Sequence, residues 1–316
     1  MFEHIVVPLD GSPLSDAAFS LALGLGRDRD REIVCLHAVD TRGVIVPSAG
    51  LVYPYNPTPL IDALKSQGEA ILADALAKAT TANVRITTQL VFDDPVSAVT
   101  RVAQDRRASV IIMGTHGRTG LNHLFLGSTA EGILRSCSIP VITTRGAKLA
   151  TATTGTFTRA LVAIDDSDPA DAAIAMSIAL GESERTQLNF CTVVQTDALF
   201  GKASDFGYDP LPYIEEVNAA ADDLLDRPLR RAIGHGLSAT TFVAEGKVVE
   251  EILKSAGEID ADLIVIGSHG RRGLRRFFVG SVAEELVRTS FIPVLVVRTE
   301  RESTLASLPR TLETVG

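Results

Sequence analysis

Apolar positions along this chain recur in two alternating rhythms. Short Val/Ile/Leu-rich runs bounded by turn residues, at 4–9, 32–39, 84–91, 109–113 and 140–145, read as buried strands. Helical periods lie between them. Leu14, Ala17, Ala18, Leu21 and Leu25 fall on one helical face, with Ser12 placed to cap it and Pro13 as its first residue. Ile61, Leu64, Ile71, Leu72, Ala75, Leu76 and Ala79 mark a second helix, a third runs from about Val96 to Arg106, and a fourth starts at Ser128. Strands apolar on both faces, alternating with helices, predict a parallel sheet covered on both sides. Such sheets bind ligands beyond the carboxyl ends of their strands, where the strand order reverses.

The whole pattern is written twice. Ser109-Val-Ile-Ile-Met-Gly-Thr-His-Gly-Arg-Thr-Gly-Leu returns as Asp262-Leu-Ile-Val-Ile-Gly-Ser-His-Gly-Arg-Arg-Gly-Leu, 153 residues later. Ile139-Pro140-Val141 recurs as Ile292-Pro293-Val294, and the first strand Ile5–Asp10 matches Ala160–Asp165. A period this long is a duplicated domain, not a solenoid unit. The expected organisation is a first domain over 1–147, a linker over 148–157, a second domain over 158–300 and a tail over 301–316.

Composition narrows the class of protein. With 316 residues the chain can bury two cores, and 46% hydrophobic against 22% charged residues is a globular balance. A net charge of −9 argues against a general nucleic-acid binder, which needs a basic footprint. Cys35, Cys137 and Cys191 form no C-x-x-C pair and read as core fillers in a reducing, cytoplasmic setting. The N-terminal residues run straight into a strand without signal-peptide features, and no apolar run is long enough to span a membrane.

Candidate chemistry sits at the end of the fourth strand of each half. Gly114-x-x-Gly117, nine residues, then Gly127-Ser128 repeats as Gly267-x-x-Gly270, nine residues, then Gly280-Ser281. Glycines at a strand end allow positive φ and close ligand approach, and the last glycine opens a helix whose first amides lack partners. Phosphate is the natural occupant of such a place. A plainer reading also exists: Ser128-x-x-Glu131 and Ser281-x-x-Glu284 have the spacing of capping boxes. His116 and His269 can donate to a ligand or satisfy a loop carbonyl, and their place inside both frames favours the ligand. Arg118 and Arg271, with Arg272, Arg275 and Arg276 beside the second frame, either strengthen an anion site or form a solvated face.

This frame, with an aspartate ending the first strand, resembles the nucleotide-binding universal stress proteins over almost all of both halves. There is neither a Walker P-loop nor a dinucleotide fingerprint after the first strand. The resemblance implies two tandem, doubly wound, Rossmann-like five-stranded domains packed as a pseudo-dimer through their last strands, Val141–Arg145 and Val294–Arg298. It implies that Pro8, Leu9 and Asp10, with Val39 and Met113, meet the adenosine of a first nucleotide, and Gly114, His116, Gly117, Gly127, Ser128 and Thr129 its ribose and phosphates. Ala163, Ile164, Asp165, Val194 and Ile266, then Gly267, His269, Gly270, Gly280, Ser281 and Val282, are the counterparts. The implied cofactor is ATP or another adenine nucleotide with Mg²⁺; no metal ligand is assigned, and Asp10 and Asp165 are the candidates through the nucleotide. The extra carboxylate of Asp166 either helps hold Mg²⁺ or repels phosphate.

The copies are unequal. Asp10-Gly11-Ser12 faces Asp165-Asp166-Ser167, and Asp93-Asp94-Pro95 faces Gly246-Lys247-Val248. Long connections at 41–59 and 196–212, with Tyr53, Tyr55, Tyr208 and Tyr213, are candidate lids. No nucleophile elbow or Walker lysine is present, so the expectation is a nucleotide-dependent regulator of some protein partner, with a homodimer of the tandem chain possible. The alternatives are a weak ATPase, or a scaffold for another ligand such as a lipid.

Overall fold

The computed structural model describes residues 1–27, 29–42, 56–116, 126–146, 155–195, 211–269 and 280–299. The first half comprises β1 (His4–Pro8), α1 (Pro13–Gly26), β2 (Glu32–Ala38), α2 (Thr58–Thr81), β3 (Ile86–Val91), α3 (Pro95–Asp105), β4 (Val110–Gly114), α4 (Ser128–Ser136) and β5 (Val141–Thr144). The second comprises β6 (Arg159–Ala163), α5 (Asp168–Glu184), β7 (Gln187–Val194), α6 (Leu211–Gly234), β8 (Ala239–Glu245), α7 (Val248–Glu258), β9 (Leu263–Gly267), α8 (Ser281–Thr289) and β10 (Val294–Val297).

Ten strands form one sheet in the order β3-β2-β1-β4-β5-β10-β9-β6-β7-β8. Within each half every pair is parallel. Among the described residues the single antiparallel pair joins the halves, with Val141 opposite Val296, Ile142 opposite Leu295 and Thr143 opposite Val294. The pairing of the last strands is thus as the family resemblance implied. Alternate strand residues feed opposite faces. Ile5, Val7, Val110 and Ile112 belong to the layer that holds the buried faces of α1, α2, α5 and α6, while Val6, Ile111 and Met113 belong to the layer that holds those of α3, α4, α7 and α8. Each face is therefore one apolar layer running through both halves, and each buried Val, Leu or Ile contributes roughly 1.5–3 kcal/mol. All three cysteines are buried and free.

Two further features bind the halves. The rings of Phe2 and Phe157 meet edge to face at 6.4 Å. The fully buried carboxylate of Glu184, at the end of α5, pairs with Arg29 at 2.6 Å and with Arg31. Among the described residues no helix is long and apolar enough to cross a membrane.

Candidate functional site

The chain leaves β1 toward β2 on one side and leaves β4 toward β5 on the other, so the strand order reverses between β1 and β4. A cleft of about 300 Å³ opens at that point. Pro8, Leu9 and Asp10 line it from the end of β1, Met113, Gly114, Thr115 and His116 from the end of β4, and Gly127, Ser128, Thr129 and Ala130 from the start of α4. Leu36, His37 and Ala38 of β2 and Pro95 and Val99 of α3 complete its apolar end. Nine of the expected first-half residues thus come together.

The glycine frame is clasped at its base. Thr115 accepts the Gly127 N–H at 2.9 Å and donates its own N–H to Thr144 at 3.1 Å. The second half repeats this, Ser268 accepting from Gly280 and donating to Val297, each at 2.7 Å. These bonds bring the helix start back against the strand end, which the sequence spacing alone only suggested.

The capping-box reading is overturned. Gly127 and Gly280 are the cap residues, in extended backbone conformation, and neither helix has a side-chain cap. Ser128 and Ser281 are already the first helical residues, and the N–H of Glu131 goes to the Gly127 carbonyl at 2.9 Å. The Glu131 carboxylate turns instead to Arg135, at 3.1 Å. The early amides of α4 consequently have no side-chain acceptor of their own helix and border the cleft, where the helix dipole is positive.

The first glycine of each frame has a different reason from the one expected. Neither Gly114 nor Gly267 has a positive φ. A Cβ on Gly114 would lie 2.8 Å from the backbone of Leu14, and one on Gly267 2.6 Å from that of Pro169. These glycines let α1 and α5 pack onto the strand ends, which fixes the aspartate turns beside the cleft.

Those turns differ. In the first, Gly11 has φ +78°, Asp10 Oδ1 accepts the Ser12 N–H at 2.9 Å, and Ser12 Oγ accepts the Ser15 N–H at 3.2 Å. In the second, Asp166 shows no positive φ, and the Ser167 hydroxyl donates to Asp165 Oδ1 while accepting the Ala170 N–H at 3.3 Å. The apolar end of the cleft differs too. His37 donates from Nδ1 to the Leu9 carbonyl at 2.6 Å, which fixes the proton on that nitrogen. Leu9 and Ile164 donate equivalently to Leu36 and Cys191, so Thr192 occupies the place of His37. An imidazole within an otherwise apolar strand was the available signal for His37.

At the rim, Asp94 caps α3 by accepting the Ser97 N–H at 3.0 Å, and Arg42 bridges Asp94 and Asp40 at 2.6 Å each. The Arg42 hydrogen bonds hold the Asp40 carboxyl below its ordinary range. Partial burial raises that of Asp94, but the Ser97 bonds and Arg42 outweigh it and the net direction is also down. Lys247 stands at the corresponding helix start with no side-chain cap, paired to Glu250 at 2.8 Å.

His116 and His269 place Nδ1 against the preceding hydroxyl, Thr115 Oγ1 at 3.0 Å and Ser268 Oγ at 3.1 Å, not against a loop carbonyl. Val39 is buried and donates to Val91 at 2.7 Å, closing β2 against β3 outside the cleft lining. Ala163, Ile164, Val194, Ile266, Gly267 and His269 are buried, Asp165, Gly280 and Val282 half-buried, and Ser281 exposed. Gly117, Arg118, Gly270, Arg271, Arg272, Arg275, Arg276, Tyr53, Tyr55 and Tyr208 lie outside the described residues, as does the side chain of Tyr213.

Comparison with known proteins agrees with this architecture. The model of the Universal stress protein family matches twice, over residues 1–145 and 156–298. The chain belongs to that family. It is 25% identical over 306 residues to Universal stress protein Rv2005c of Mycobacterium tuberculosis, covering 93% of this chain and 96% of that protein. Universal stress protein YxiE of Bacillus subtilis is 32% identical over 151 residues, 45% of this chain and 99% of that one. The crystal structure of a universal stress protein from Archaeoglobus fulgidus superposes with a TM-score of 0.66 at 22% identity, covering 94% and 99% of the two chains.

Proposed function

We propose that this protein binds adenine nucleotide at two sites, one per half, and acts as a nucleotide-dependent regulator. The observation that carries this reading is the uncapped start of α4 meeting Asp10 and an apolar slot in one cleft. The residues fit the group. First-turn amides and the Ser128 and Thr129 hydroxyls are donors for phosphate oxygens. Asp10 offers a carboxylate to ribose hydroxyls or to a phosphate-bound Mg²⁺, and Leu36, Val99 and Met113 offer a desolvated surface to a purine. The cleft volume stands at the lower end of small-molecule sites, about 300–1,000 Å³. Regulation of this kind needs no bond-breaking step, only different nucleotide affinities in two conformational states.

The test is to denature purified protein, identify and count the released nucleotide by chromatography, and titrate ATP·Mg²⁺ into stripped protein. Ser128→Asp and Ser281→Asp put a carboxylate where phosphate would sit, at a helix position where a negative charge is itself stabilising by about 0.3–1 kcal/mol. We expect about two nucleotides per chain, one lost in each variant through at least ~10-fold weaker binding, with melting temperature undiminished. A folded wild type with no bound nucleotide and no ATP affinity overturns the proposal and turns attention to a scaffold for an apolar ligand.

A further inference from the structure

The last residue before each half leaves the sheet is an arginine that crosses to the other half. Arg298, following β10, places Nη1 2.7 Å from the Arg135 carbonyl, with the carbonyls of Leu134 at 3.3 Å and Cys137 at 3.4 Å. These are the terminal carbonyls of α4. Arg145, following β5, donates from Nη1 to the Arg288 carbonyl at the end of α8. Its guanidinium also lies 5.4 Å from the centre of the Phe291 ring. Arg145 and Arg298 are repeat equivalents, as are Arg135 and Arg288, at the 153-residue offset. Each half therefore caps the other's last helix.

Those helices are the ones whose opposite ends form the candidate anion sites. Followed from bond to bond, the contacts close a ring. Gly127 donates to Thr115, Thr115 to Thr144, and the next residue, Arg145, to the far end of α8. At the near end of α8, Gly280 donates to Ser268, Ser268 to Val297, and the next residue, Arg298, to the far end of α4. A cation at a helix C-terminus is favoured by the dipole, as an anion is at the N-terminus. A nine-residue helix is also a stiff rod only about 14 Å long. Its seat at one end governs where its amides point at the other.

We propose that Arg298 is a positioning residue for the first nucleotide site and Arg145 for the second, each acting in trans through the helix it caps. This rests on the nucleotide-binding reading above. It makes neither site complete within its own half.

The test uses the full chain with Arg298→Met and Arg145→Met, which keep length and lose the charge, and with the Lys variants at the same positions. Affinity of each site for ATP·Mg²⁺ is read with the other blocked by Ser281→Asp or Ser128→Asp. Arg298→Met weakens the first site about 3- to 10-fold and changes the second by less than about twofold, with Arg145→Met giving the crossed result. Lysine restores part of each loss. Hydrogen exchange supplies a readout independent of ligand. Arg298→Met speeds exchange at the amides of Gly127 and Glu131, remote from the cap, more than at Gly280 and Glu284, and Arg145→Met does the reverse. Equal weakening of both sites, a loss confined to the arginine's own half, or uncrossed exchange overturns the inference. If wild type takes up no nucleotide, the functional proposal falls and the exchange pattern alone decides whether the arginines position the helices.

Discussion

The two halves of the chain agree in the contacts that seat the last helix of each against its strand ends and differ at the aspartate turn, at the apolar end and at the rim. Both use a glycine against the first helix, a clasped frame, an uncapped last helix and an arginine given to the other half. They part at the aspartate turn, where Gly11 answers to Asp166, at the apolar end, where His37 answers to Thr192, and at the rim, where Asp94 answers to Lys247. Both copies keep the elements that fix where the last helix starts. The residues around those starts have diverged, so the two nucleotide sites proposed above should differ in affinity.

Exchanging the turn residues gives the largest stability effect. Gly11 has φ +78° and a Cβ there would meet Ile71 Cδ1 at 3.1 Å. Gly11→Asp should cost about 1–2 kcal/mol, whereas Asp166→Gly should cost less than about 1 kcal/mol through chain entropy, both read from denaturant midpoints. Equal losses would show that the turns are interchangeable after all.

The rim comes next. Asp94→Ala removes a helix cap worth about 1 kcal/mol, while Lys247→Asp should stabilise by up to about that amount. The acid side carries the same asymmetry. Asp40 and Asp94 have depressed folded pKa values, so their stabilisation is complete above the unfolded carboxylate range and is lost as pH falls through the folded values. Wild type should therefore lose stability more steeply below about pH 4 than the Asp40→Asn, Asp94→Asn double variant. Parallel acid titrations would remove the rim pair from the comparison.

The smallest expected difference is between the buried thiols of the two halves. Burial pushes the Cys35 thiol to about 12, and burial with the nearby Glu251 carboxylate does the same for Cys191. Burial raises Cys137 as well. All three should resist alkylation at pH 8 in native protein and react once it is denatured. Selective native labelling of Cys191 would show a looser second half.

Local and repeated features of the fold were open to reading. Strand positions came within two residues because the inner strands are buried on both faces and apolar throughout, and the structure trims 4–9 to His4–Pro8 and the edge run 84–91 to Ile86–Val91. Ser12 and Pro13 announced α1 correctly because a cap is decided within a few residues of chain. The same rule failed at Ser128, because the orientation of that helix start is set by Thr115, which holds Gly127 from a different strand. Of the nine cleft residues, Gly114, His116, Gly127 and Ser128 were legible in the repeated frame and the other five only through the family resemblance, whereas Pro95 and Val99 of α3 enter only through packing.

By itself the sequence determined the strands, the helices, the duplication and the glycine frame, since each depends on neighbours in the chain or on the comparison of one half with the other. Tertiary structure decided which partner each polar group takes. The Arg42 bridge, the His37 proton position, the burial of Glu184 between two arginines and the crossed caps of Arg145 and Arg298 all join groups far apart in sequence. Hydrogen bonds and ion pairs act over a few ångströms, and only the folded sheet, closed by one antiparallel pair of strands, brings those groups within reach.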